Sequence, residues 1–107
     1  MDKQSFKVLT GKTKRAALVF RALNHHLRQQ ILSYLIANPQ TDVTSLYKKF
    51  HIEQSVASQH LAILRREGLV SAQREGKRML YSVNNKRLED VEKIADRLLA
   101  ASSSSFR

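Results

Sequence analysis

The chain has 107 residues, with 19 Lys and Arg against nine Asp and Glu, a formal net charge of +10 and 42% hydrophobic residues. That length suits one ordinary domain with a modest core, and no second domain is expected. The absence of cysteine excludes disulfides, thiolate metal sites and thiol redox sensing. The charge favours a polyanionic partner, and no apolar run reaches signal-peptide or membrane-spanning length, so the expected location is cytoplasmic.

Residues 1–11 show no hydrophobic period and are read as a flexible basic arm, with Gly11 punctuating it before a helical pattern begins. A first helix is expected from Lys12 to Ala22, its apolar stripe formed by Ala16, Val19, Phe20 and Leu23 and the rest covered by Lys12, Lys14, Arg15 and Arg21. Asn24 is a suitable N-cap for a second helix whose inward positions Leu27, Ile31, Leu32, Leu35 and Ile36 recur at helical spacing until Asn38-Pro39. A short extended piece at Thr41–Val43 precedes a third helix, Thr44 to Phe50, and His51-Ile52 makes the next turn.

Gln54 to Glu67 is the most informative stretch. Ala57, Leu61 and Leu64 fall on one face at helical spacing, while Gln54, Ser55, Ser58 and Gln59 fall on the other with groups that suit base edges. Gly68 stops this helix, and Leu69–Gln73 and Met79–Val83 read as two strands joined by the cationic turn Arg74-Glu75-Gly76-Lys77-Arg78. Two helices across a turn of about four residues, the second bearing outward polar groups, is the helix-turn-helix arrangement. Followed by a basic hairpin, it becomes a winged helix-turn-helix: mainly α, five helices and a two-stranded wing. The division of charge fits, because residues 1–28 hold seven cations against one Asp and the wing is basic, whereas the reading helix is nearly neutral. Base edges are met by hydrogen bonds and phosphates by cations.

Asn84-Asn85 is expected to cap a last helix from Lys86 to Ala101, with Leu88, Val91, Ile94, Ala95, Leu98 and Leu99 as a broad apolar stripe. Its other face balances four cations against four carboxylates, which suits DNA poorly. Pairing with a second subunit accounts for the stripe, and packing within its own domain is the alternative. The folded domain therefore spans residues 12–101, followed by a low-complexity, disordered tail, 102–107.

From Leu18 to Leu99 the chain resembles the ArsR family of small bacterial winged-helix repressors. The resemblance is carried by Leu23-Asn24-His25-His26-Leu27-Arg28-Gln29-Gln30-Ile31-Leu32, by the reading helix with Gly68-Leu69-Val70 behind it, and by the wing ending in Tyr81. It implies a homodimer built from the first and last helices, here through Val19, Leu88, Val91, Ile94, Ala95 and Leu98. It further implies a palindromic operator on double-stranded DNA and repression until a signal weakens binding. The DNA-contacting residues it implies are Gln54, Ser55, Ser58, Gln59 and His60 on the reading helix and Arg74, Lys77 and Arg78 on the wing. Asp42 and Thr44 stand where metal-sensing members carry a cysteine pair, and neither replaces a thiolate for a soft metal. The last helix has no histidine, so no metal and no cofactor is expected. His26 stands where the family often has proline, and Glu53 where a serine or threonine commonly caps the reading helix. Arg28 matches a family arginine and suits either a salt bridge within the fold or a DNA contact.

Of the four histidines, His25 and His26 are adjacent and diverge on a helix, and His51 lies in a turn, so a shared metal site would need a pair across the dimer. Three other functions compete with DNA reading. A winged-helix adaptor or antagonist that binds protein has no need of a cationic wing. RNA binding is weakened by the lack of a stacking platform among three Tyr and four Phe. Catalysis is weakest of all, since Ser55, Ser58 and His60 on one helix supply no oriented base and no oxyanion site.

Overall fold

A computed structural model describes residues 14–105, and every structural statement below concerns that range. The elements are α1 (14–23), α2 (His26–Ala37), β1 (Thr41–Asp42), α3 (Val43–Phe50), α4 (Gln54–Arg66), β2 (Val70–Glu75), β3 (Arg78–Val83) and α5 (Asn85–Ser105). The 1–11 arm, the start of the first helix at Lys12 and the end of the tail at Phe106-Arg107 lie outside the described residues. Ser102 to Ser105, expected in the tail, continue α5 past Ala101.

The hairpin is part of a larger sheet than expected. The extended piece before α3 becomes β1, which pairs antiparallel with β3 through Thr41↔Tyr81 and Asp42↔Leu80, giving the strand order β1-β3-β2. The wing's own register runs from Val70↔Val83 to Glu75↔Arg78, so only Gly76 and Lys77 form the connection. Arg74 and Arg78, expected in a five-residue turn, are therefore strand residues. A two-residue loop closes cleanly when a glycine at its first position takes positive φ, and Gly76 has φ +62.

Asn24 does not cap α2. It ends α1, its N–H donating to Phe20 O at 2.8 Å, and the cap residue of α2 is His25, whose side chain makes no capping bond. The last carbonyls of a helix need outside donors, and α2 supplies them: Arg28 Nε donates to Ala22 O at 2.7 Å and Gln29 Nε2 to Leu23 O at 2.8 Å. Arg28 thus supports the fold through carbonyl oxygens at the negative end of α1, where a cation is favoured, and not through a salt bridge.

The third helix starts one residue earlier than expected, at Val43, because Asp42 caps it by accepting from Ser45 N at 2.8 Å. His51 ends it in the left-handed region, φ 53, and Ile52 N–H returns to Tyr47 O at 3.1 Å. The chain is thereby turned into α4 within three residues.

Ile31, Leu35, Leu46, Leu61, Leu64 and Leu69 are fully buried and form the centre of the core. Each such side chain contributes roughly 1.5–3 kcal/mol relative to exposure. Leu61 and Leu64, with buried Ala57, press α4 onto this centre by one face and so fix which residues it turns outward. At the far end of α4, Gly68 takes φ +75 and the Arg87 side chain lies 3.7 Å from where a Cβ would stand. Arg87 Nε donates to Glu67 O at 3.3 Å, tying α5 to the end of α4, while Asn84 Oδ1 accepts from Arg87 N at 3.2 Å and caps α5.

Candidate nucleic-acid interface

With Ala57, Leu61 and Leu64 facing the core, the opposite side of α4 is determined by the 3.6-residue period. Gln54, Ser55, Ser58 and Gln59 are all exposed on its first two turns, continued by Ala62, Arg65 and Arg66. These are unbranched or small polar side chains on a helix whose N-terminal half is free to approach a groove. Glu53 is the cap residue of α4 and makes no side-chain capping bond, although its carboxylate still suits the positive helix end. Arg66 reaches back to Glu67 at 3.5 Å, whereas Arg65 has no anionic partner among the described residues. Ser58, Arg65 and Arg66 line an open depression whose other wall is Tyr81 on β3.

The wing carries three exposed cations with different constraints. Arg74 Nε donates to Gly76 O at 3.3 Å and folds along the turn. Arg78 Nη1 meets Asp42 Oδ2 at 3.3 Å, which anchors the base of the wing to the start of α3. Lys77 at the tip has no partner among the described residues. The Asp42 carboxyl is held below the usual carboxylate range, first by its hydrogen bonds from Ser45, then by Arg78. Sequence reasoning did not find this double use of Asp42, although an Asp three residues before Ser45 at a helix start was a legible capping signal.

His60 stands apart from the four exposed polar residues. It is half-buried, its ring centroid lies 4.8 Å from that of His25, and its Nδ1 is 3.3 Å from Arg28 Nη1. It lies three residues after Ala57 and four before Leu64, so the helical period turns it toward the packed side of α4. No group of three or more His, Asp or Glu among the described residues is arranged to hold a metal ion.

The residues expected at a dimer interface divide in the same way. Val19 and Val91 are buried in the core of their own chain, and Leu88 packs against it. Ile94 is 40% exposed and Ala95 is half-buried, while the Leu98 side chain lies outside the described residues. Leu18 on α1, which spacing did not single out, and Leu99 on α5, expected in the apolar stripe, are also exposed. Between α1 and α5 runs an open groove of about 270 Å³ lined by Arg15, Ala16, Val19, Phe20, Arg87, Val91 and Ile94.

A helix-turn-helix with an exposed polar second helix beside a basic hairpin defines a DNA-binding regulator, and comparison with known proteins places it. Residues 25–72 match the model of the bacterial regulatory protein, arsR family. The chain is 35% identical over 83 residues to the HTH-type transcriptional regulator YgaV of Escherichia coli strain K12, covering 78% of this chain and 84% of that one. It is 32% identical over 84 residues to the transcriptional activator HlyU of Vibrio cholerae, covering 78% and 77%. Among solved structures, an ArsR-like transcriptional regulator from Rhodococcus sp. RHA1 superposes with a TM-score of 0.76 at 25% identity over 90% of both chains. The chain belongs to the ArsR family, and it is a DNA-binding transcription regulator, not an enzyme.

Proposed function

We propose that this protein is a homodimeric repressor that reads a palindromic operator with Gln54, Ser55, Ser58 and Gln59 and holds the flanking backbone with Arg74, Lys77 and Arg78. The observation that carries this reading is the exposure of the four polar residues over the buried Ala57, Leu61 and Leu64 face of α4. Gln59 has the reach and the donor–acceptor pair for adenine, and the serines make shorter contacts. Lys77, Arg65 and the two wing arginines supply the phosphate attraction that needs no sequence.

Dimerisation is supported by the apolar side chains left exposed on α1 and α5, namely Leu18, Ile94 and Leu99, around the groove between the two helices. A two-fold axis there sets two α4 helices into major grooves about 34 to 36 Å apart, which is the geometry of a palindrome. Repression is the simplest outcome, since a body seated on a promoter excludes polymerase without further contacts. No helix of the described residues is long and apolar enough to cross a membrane, and the proposed work on DNA is cytoplasmic. The residue 1–10 segment, with Lys3 and Lys7, is proposed as a solubilising extension, with backbone tracking as the alternative.

The test is fluorescence anisotropy with duplex DNA from upstream of the gene against scrambled DNA, across 50 to 200 mM salt. A preference for the upstream duplex that persists at the higher salt supports sequence reading. Equal binding abolished by salt favours an adaptor that binds protein.

A further inference from the structure

Arg28 is the buried charged residue of the described core, and its guanidinium joins two elements. At the end of α1 it donates to Ala22 O at 2.7 Å and Arg21 O at 3.3 Å; toward α4 it meets His60 Nδ1 at 3.3 Å. A guanidinium only donates, so the His60 nitrogen it meets must carry a lone pair and the ring proton must sit on Nε2. His60 therefore fills this position as a neutral acceptor, next to the His25 ring at 4.8 Å.

The surroundings oppose a charge on it. Burial first, then the positive influence of His25 and Arg28, holds the His60 pKa below the ordinary histidine value of 6.5. His25 stands just before α2 and Arg28 within it; α3 and β2, which also pack on α4, bring no charged group to bear on the ring among the described residues. Among the described residues, no carboxylate compensates a proton there.

We propose that His60 is a positioning residue for DNA binding, which in its neutral form ties the middle of α4 through Arg28 to the end of α1, and whose protonation breaks that tie and weakens the grip on DNA. The proposal rests on the reading of α4 as the helix that meets DNA. His60 immediately follows Gln59, so a change in how its ring is held is felt where the exposed polar face stands. The sign follows from linkage: the folded chain binds this proton less readily than the unfolded one. The tie is complete above the ordinary histidine range and is lost as pH falls through the lower value of folded His60.

The test follows the affinity of the full chain for the upstream duplex by anisotropy from pH 8 to pH 5 at constant salt, alongside NMR titration of the His60 ring without DNA. The expected result is a loss of about tenfold on acidification, the size of one lost hydrogen bond to a charged group. His60→Gln keeps an acceptor without a titrating proton, so its affinity, taken relative to its own pH 8 value, does not fall as pH falls. His25→Ala keeps the fall. A His60→Gln profile that falls as the wild type does, or a wild-type affinity that does not fall, overturns the proposal. Should no duplex bind at any pH, the DNA reading fails separately, and the NMR arm decides: a His60 titration that moves α4 amides and the Arg28 Nε–H supports the tie, and one confined to the ring overturns it.

Discussion

The face made by α4 and the wing exposes Gln54, Ser55, Ser58, Gln59, Arg65, Arg74, Lys77 and Arg78, whereas the face made by α1 and α5 exposes Leu18, Ile94 and Leu99 around an apolar groove. Both faces come from amphipathic helices, and what differs is the second side of each helix. On α4 the buried Ala57, Leu61 and Leu64 are flanked by half-buried Val56, His60 and Ile63, which leaves the side bearing Gln54, Ser55, Ser58, Gln59 and Arg65 exposed. On α5 the apolar stripe is too wide for one chain to cover: Val91 is consumed by its own core and Ile94 is left outside. One surface suits a polar, charged partner, and the other is the face we propose for pairing with a second copy.

The comparison is tested most severely where both faces depend on the core. Leu61→Ala should cost about 2–5 kcal/mol by loss of packing and a residual cavity, and should remove DNA binding with it, read by denaturant unfolding and anisotropy on the same preparation. DNA binding unaffected by that loss would mean that α4 is not the contacting helix. Ile94→Asp places a charge on the apolar face alone. It should convert a dimer to a monomer in sedimentation while the isolated fold keeps its helical circular dichroism signal, and a protein that stays dimeric would move the interface away from α5.

Smaller effects sharpen the division further. Asp42→Asn keeps the cap on α3, because Asn caps as well as Asp, and removes only the charge paired with Arg78. The pair is largely solvent-exposed on the Arg78 side, so the stability change should stay under about 1 kcal/mol. The same carboxyl gives a signed pH dependence. Its lowered pKa means its contribution is present above the ordinary carboxylate range and fades as pH falls through the folded value, a fade that Asp42→Asn should abolish in acid unfolding curves. Removal of residues 1–10 should leave the salt dependence of binding unchanged. A slope lowered by about 0.9 for each phosphate contact would assign the arm to DNA.

The helical periods of α2 and α4 were legible because Ile31, Leu35, Leu61 and Leu64 repeat without interruption, and the hairpin because Gly76 marks a turn between two apolar runs. Three features were not. Pairing of β1 with β3 joins residues forty positions apart, and a two-residue strand at Thr41-Asp42 carries no period of its own. The start of α2 was misplaced because Asn24 is a good cap by composition, while the position it occupies is set by how Arg28 and Gln29 close the end of α1. His60 suits either a DNA contact or a packed position by sequence, and its place against Arg28 and His25 came only with the docking of α4 on α2. In the candidate interface, the exposed set on α4 followed from the period alone, whereas the restraint of Arg78 by Asp42 required the third strand.

The most direct measurement compares two double variants on operator and scrambled DNA. Ser58→Ala with Gln59→Ala should reduce discrimination by about 1–3 kcal/mol per lost base contact while leaving scrambled-DNA binding nearly intact. Lys77→Ala with Arg78→Ala should weaken both DNAs together and lower the salt slope by about 0.9 per phosphate contact. Parallel losses on both DNAs from both variants would contradict the assignment of sequence reading to α4 and phosphate holding to the wing.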